Sequence, residues 1–245
     1  MRKLLAVILM ALMLCFSPAL TVKAALSSSH QALADATFAL YGQLTQDGQT
    51  ERHFLCTAET YDWTKEDGYK LITAGHCVTG DDLPENLVFF VAETADPNPE
   101  LMPVTVLKAE NDNFFDFAVL SLKTDKVYPL VHLAPEGRPL SEPESIVVNV
   151  NFSMGLTKEI VLGRVASGII PNKGAENDCD VCMGRFMVNI DNGPGASGSA
   201  IVDDGSQEVI GLTEAGSSRL PGIVICISIN SFWIWQHSPE TLPKQ

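Results

Sequence analysis

Leu71-Ile72-Thr73-Ala74-Gly75-His76-Cys77 is the stretch on which the reading of this chain turns. It opens with strand-forming residues, bends at the small pair Ala74-Gly75, and places a histidine at the bend. A general base needs that placement, because a rigid strand holds it while the imidazole stays free to reach a neighbour. Cys77 follows directly, and Cys56 lies on the preceding expected strand. A Cys56–Cys77 disulfide would close a loop of about 20 residues and pin the histidine turn, which chain-entropy estimates value at about 3 kcal/mol. A histidine taken alone is an ordinary surface or core residue, and His30, His53, His132 and His237 are read that way.

Outward from this stretch the chain consists of short β-rich runs. Val, Ile, Phe, Leu and Thr dominate them, and Gly, Pro, Asp and Asn fill the gaps. Strands are expected near 37–44, 52–58, 69–74, 87–92, 102–109 and 117–122, then near 145–151, 158–166, 185–190, 199–203, 208–213 and 222–229. A Pro/Glu-rich connection, Ala134 to Glu144, separates the two sets. The chain is thus expected to be all-β, with one unit over 37–134 and another over 135–245. Closing each unit into a small antiparallel barrel would remove exposed strand edges, and a single β-sandwich is the alternative from periodicity alone. One helix is expected, from Asn230 to His237, with Asn230 or Ser231 as its cap.

Two further segments carry chemistry. Asn113-Phe114-Phe115-Asp116-Phe117-Ala118-Val119-Leu120 embeds one acid among apolar residues where a strand begins. A buried carboxylate is costly unless paired or hydrogen-bonded, and an imidazole N–H would satisfy it. Gly193-Pro194-Gly195-Ala196-Ser197-Gly198-Ser199-Ala200 sets a serine among glycines ahead of an apolar strand. A nucleophilic serine needs an exposed hydroxyl beside backbone N–H groups that face the developing oxyanion.

His76, Asp116 and Ser197 occur in the order His, Asp, Ser, which is the handed-down order of the chymotrypsin template. Thr73-Ala74-Gly75-His76-Cys77, Asp116-Phe117-Ala118-Val119-Leu120 and Gly195-Ala196-Ser197-Gly198-Ser199 resemble the histidine, aspartate and serine motifs of the chymotrypsin-like serine proteases, in particular of their bacterial branches. The resemblance runs from about residue 37 to 237. It implies two six-stranded antiparallel β-barrels of chymotrypsin type with a short C-terminal helix and a catalytic cleft between the barrels. It implies hydrolysis of peptide bonds through an acyl-enzyme, without a cofactor or metal. Ser197 would be the nucleophile, His76 the base and Asp116 its orienting acid, with the N–H groups of Gly195 and Ser197 as the oxyanion hole. The run Ile210-Gly211-Leu212-Thr213-Glu214-Ala215-Gly216 looks like the strand that pairs with substrate beside the specificity pocket, so Thr213, Glu214 and Gly216 are expected to bind substrate.

The departures from the family pattern are specific. Ala196 stands where animal members carry an aspartate that pairs with a new N-terminus, and no Ile-Val-Gly-Gly start is present. Thr213 replaces the histidine of relatives that cleave after glutamate. Glu214 and Ala215 replace the usual serine and tryptophan, and Glu214 is expected to approach Asp116, where two nearby carboxylates would raise one pKa. Counted back from Ser197, Asp191 occupies the place of the acid at the base of a trypsin-like pocket. The alternative for Asp191-Asn192-Gly193-Pro194 is an exposed turn, with a preference for small or apolar residues set by Thr213 and Gly216.

The chain has 245 residues. Arg2 and Lys3, the apolar run Leu4 to Phe16, and Val22-Lys23-Ala24 have the layout of a secretory signal peptide over 1–24. Residues 25–36, small and polar, are expected to be a linker or a frayed helix. The rest carries 13 basic against 30 acidic residues, a net charge near −17. That charge argues against nucleic acid as a partner and disfavours anionic membrane surfaces. A secreted or periplasmic protein acting on a protein or peptide substrate is expected, without stable membrane insertion once the signal is cleaved. Five cysteines follow the signal, so at least one is unpaired within the chain. A disulfide among Cys179, Cys182 and Cys226 is expected; zinc on these three and His237 is the alternative. A binding protein on a protease scaffold would have lost a triad residue, and all three are present. A chaperone-like stress protease, which would carry a peptide-binding module after Trp235, is not expected.

Overall fold

A computed structural model describes residues 27–80, 83–84, 86–112, 114–171, 184–217 and 220–238. The expected signal peptide and the Cys179–Cys182 pair lie outside these residues.

Most of the stretch read as a linker or a frayed helix is helical. In α1 (Ser28–Asp35) the Ser27 hydroxyl accepts from the His30 N–H, and Leu33 and Ala34 are buried. The cap satisfies a first-turn donor, and the buried pair ties the helix to the body of the protein. Six strands follow: β1 (Thr37–Gln46), β2 (Gln49–Thr64), β3 (Gly68–Thr73), β4 (Val88–Ala92), β5 (Met102–Asn111) and β6 (Asp116–Leu122). They close into an antiparallel barrel in the order β1-β2-β3-β6-β5-β4. The β1–β2 hairpin turns on Asp47 and Gly48, both at positive φ, the backbone that a two-residue turn between right-twisted strands requires.

The second unit comprises β7 (His132–Leu133), β8 (Ile146–Asn151), β9 (Glu159–Val165), β10 (Ile170–Pro171), β11 (Gly184–Asn189), β12 (Ala200–Asp203), β13 (Glu208–Gly216) and β14 (Ile223–Ser228). Its sheet runs β11-β14-β13-β12-β8-β9, and pairing of β9 with β11 closes the ring at six strands. The short β7 adds in parallel to β13, and β10 pairs with β11. Two closed barrels therefore replace the sandwich alternative. The chain ends its described part in α2 (Ile229–His237), capped by Ser228 rather than by Asn230 or Ser231.

Strand β6 shows how the barrels join. All seven of its residues are buried. Successive side chains point to opposite faces. Ala118, Leu120 and Leu122 fill the first barrel, while Phe117 and Val119 pack into the cluster centred on the second. Phe117 also stacks on Trp235 and meets Phe232 edge-on, which docks α2 against the first barrel. Burying such a ring contributes about 3 kcal/mol. The strand that begins at Asp116 is thereby clamped on both faces.

Candidate active site

His76 sits in a short 3-10 turn, Gly75–Cys77, immediately after β3. Only glycine fits before it, because a Cβ on Gly75 would lie 1.8 Å from the Glu110 carbonyl oxygen. On its other side Cys77 is disulfide-bonded to Cys56 of β2, as the sequence suggests. Asp116, the first residue of β6, is 2% exposed. Its Oδ1 accepts the His76 backbone N–H at 2.7 Å, and its Oδ2 lies 2.7 Å from His76 Nδ1. An ionised carboxylate only accepts hydrogen bonds, so Nδ1 carries the proton and Nε2 presents its lone pair. Burial alone pulls the His76 pKa down. The hydrogen bond and charge of Asp116, helped by the charge of Glu214, outweigh it, and the net shift is upward.

The serine turn is fixed to both barrels. The Ser197 carbonyl accepts from the Thr57 N–H at 2.9 Å, and Thr57 Oγ1 donates to the Gly195 carbonyl at 3.0 Å. On the other side Gly198 N–H donates to the Thr213 carbonyl at 2.8 Å. Gly198 has φ +82°, and a Cβ there would lie 2.1 Å from Thr73 Oγ1 and 2.8 Å from the Ala74 nitrogen. The turn thus abuts the end of the strand that delivers His76. Ser197 Oγ donates to the Glu214 carbonyl at 3.2 Å; no hydrogen bond joins it to His76 among the described residues.

The Pro194 carbonyl accepts from the Met154 N–H. The Pro194–Gly195 peptide is trans, so the Gly195 N–H points the opposite way. Neither it nor the Ser197 N–H donates to any group among the described residues.

Behind the turn lies a buried polar network that sequence reasoning missed. Asn149 Nδ2 donates to Ser199 Oγ and to the Ala200 carbonyl, each at 2.8 Å. Asn151 Nδ2 donates to Asn149 Oδ1 and Asn192 Oδ1, and its own Oδ1 accepts from Ser153 N–H. Ser153 Oγ accepts from Gly193 N–H at 3.0 Å. Ala196 is buried, and this network braces the serine loop on both sides of it, at Asn192 and Gly193 and at Ser199 and Ala200. The signal was two asparagines two apart in the apolar strand Ile146-Val147-Val148-Asn149-Val150-Asn151.

The remaining expected residues fall differently. Thr213 is buried and its Oγ1 lies 3.1 Å from Ser199 Oγ. Beyond Leu212, which pairs with Ala200, β13 outruns β12, and among the described residues Ala215 and Gly216 keep only their β14 partners Ile225 and Val224. Both are exposed, and nothing lies within 4 Å of a Cβ position on Gly216. Among the described residues no strand covers this edge, which is the geometry that an added strand would use. Asp191 is exposed, so it is not the buried carboxylate that a trypsin-like pocket base requires. Glu214 does not turn to Asp116. Its carboxylate forms a two-point ion pair with Arg185, Nε to Oε2 at 2.5 Å and Nη2 to Oε1 at 2.6 Å. Cys226 is a free, buried thiol and forms no disulfide; Cys179 and Cys182, its partners in the expected disulfide and in the zinc alternative, lie outside the described residues. Cys56, His76 and Cys77 cluster closely enough for a metal, but the disulfide consumes both sulfurs.

The trypsin-like peptidase domain model matches residues 43–212, most of the chain. The chain belongs to the trypsin-like peptidase family. It is a serine protease, and the family implies peptide substrates. Among solved structures, the trypsin-like fold is shared with the Rv3671c protease, inactive form, at 16% identity and TM-score 0.59, covering 86% of this chain and 93% of that one. The active form of Rv3671c from M. tuberculosis aligns at 15% identity and TM-score 0.59, covering 88% and 86%. The HtrA-type protease AlgW with a decapeptide aligns at 18% identity and TM-score 0.63, covering 85% of this chain and 65% of that one. No curated protein matches the chain. No helix among the described residues is long and apolar enough to cross a membrane.

Proposed function

We propose that this trypsin-like peptidase is an exported endopeptidase working through an acyl-enzyme on a His76–Asp116–Ser197 triad. The observation that carries the reading is the double hydrogen bond of Asp116 to His76, with the serine turn anchored against the same strand end. Substrate binding would turn Ser197 Oγ from the Glu214 carbonyl to His76 Nε2; catalytic hydrogen bonds often tighten only in the complex. Ser197 then attacks the scissile carbonyl, and His76 takes its proton. Asp116 holds the imidazole tautomer and stabilises the imidazolium. The tetrahedral oxyanion sits on the N–H groups of Gly195 and Ser197. His76 returns the proton to the leaving amine, and water repeats the sequence on the acyl-enzyme. Substrate backbone adds to the open edge at Ala215-Gly216, and the disulfide suits an oxidising compartment.

Ser197→Ala tests this reading. It should leave the fold intact and remove casein hydrolysis, and undiminished hydrolysis would refute the assignment.

A further inference from the structure

Glu214 is the extra residue of a bulge in β13: the register to β14 jumps from Thr213–Cys226 to Ala215–Ile225. A bulge residue has no opposite partner, so the ladder does not fix its position. Its carbonyl accepts the Ser197 hydroxyl, and the open substrate edge begins just after it. Arg185 lies on β11 opposite Ile227 of β14, and Ile227 pairs with Leu212 of β13. Its side chain therefore reaches across a whole strand to close the fork on Glu214. Both side chains are largely buried, at 24% and 18% exposure.

We propose that Arg185 is a positioning residue of the active site, its forked pair with Glu214 holding the β13 bulge and matching a second negative charge beside the His76–Asp116 pair. The inference rests on the triad reading above. Planar two-point pairing is what an arginine supplies and a lysine does not. The charges around His76 support it. Asp116 faces it from β6 and Glu214 from β13, and Arg185 is within electrostatic reach of Glu214, Asp116 and Asp112. On β5 the other charged groups are engaged elsewhere: Glu110 accepts from Trp235 Nε1, and Lys108 Nζ donates to the Trp235 carbonyl. Loss of the guanidinium leaves Glu214 unmatched and free to move, which favours imidazolium and disables the base.

The test is the pH profile of kcat/KM on a fluorogenic peptide, whose acid limb reports the free enzyme's base. In Arg185→Gln the limb should move to higher pH, and the ratio of activity at pH 6 to that at pH 8.5 should fall about threefold or more. Glu214→Gln should move it to lower pH, and the double variant should return it to the wild-type position. Arg185→Lys keeps the charge without the fork, so its limb should stay near wild type while the plateau falls. A limb unmoved in Arg185→Gln, or not restored in the double variant, overturns the proposal. Should Arg185→Gln fail to fold by thermal unfolding, Glu214→Gln decides, and an unmoved limb there overturns it equally. A wild type showing neither hydrolysis nor acylation of Ser197 overturns the triad reading and this inference with it; hydrolysis with unmoved limbs overturns this inference alone.

Discussion

Replacing Glu59 by glutamine should change the pH dependence of stability in a way that can be worked out beforehand. Glu59 lies on β2 and is fully buried. Its Oε1 accepts the Ala200 N–H at 3.0 Å, while Oε2 has no hydrogen-bond partner among the described residues. Burial pushes its pKa well above the ordinary 4.5, against smaller lowering effects of the Ala200 N–H and the Lys158 charge. Below the ordinary pKa both folded and unfolded chains carry the neutral acid, and no ionisation-linked cost arises. As pH rises past it, the unfolded chain ionises first. Stability is then lost at about 1.4 kcal/mol per pH unit until the folded-state group also ionises. Glu59→Gln cannot ionise, so it escapes this loss. Urea unfolding of both proteins in steps from pH 4 upward should give curves whose separation grows in favour of the variant at about that slope and then flattens. Contributions of groups not coupled to Glu59 cancel in the difference; Lys158, whose charge acts on Glu59, is the exception. Parallel curves, or a separation favouring wild type at higher pH, would refute the picture of a neutral acid between the barrels.

Gly198→Ala should cost about 2–5 kcal/mol, from the positive φ and from overpacking against Thr73 and Thr57; a melt within error of wild type would show that the serine turn does not abut β3 as described. Mutating Cys56 and Cys77 together to alanine should cost about 3 kcal/mol and lower kcat as the His76 turn loosens; non-reducing peptide maps should show the pair bridged in exported protein. Asp191→Ser should leave the cleavage map of a peptide library unchanged, because the residue is exposed; a collapse of cleavage after Arg or Lys would restore the acidic-pocket reading.

Most strands were readable because alternation and turn residues mark them, and the observed bounds of β3, β6 and β8 differ from expectation by one residue. The bridges β7 and β10 are two residues each, too short for any periodicity to reveal. α1 is ambiguous in the sequence, between linker and frayed helix, because its helix-forming alanines sit among serines and its packing depends on a distant surface. His76, Asp116 and Ser197 stood out because each sits at a strand end within a recognisable local pattern. Arg185 and Glu59 left no such mark. Their roles depend on which strands lie side by side, and a bulge at Glu214 turns its carboxylate to Arg185 instead of Asp116. Thr57 likewise belongs to the site only because β2 of one barrel meets the serine turn of the other.

In the proposed reaction Ser197 is the nucleophile that His76 activates. Treating the intact protein with a fluorophosphonate and mapping the adduct by peptide mass spectrometry tests it most directly. A single adduct on Ser197 that disappears in His76→Ala is the predicted result; an adduct on another residue, or hydrolysis of peptides by a protein that takes no label at Ser197, would contradict it.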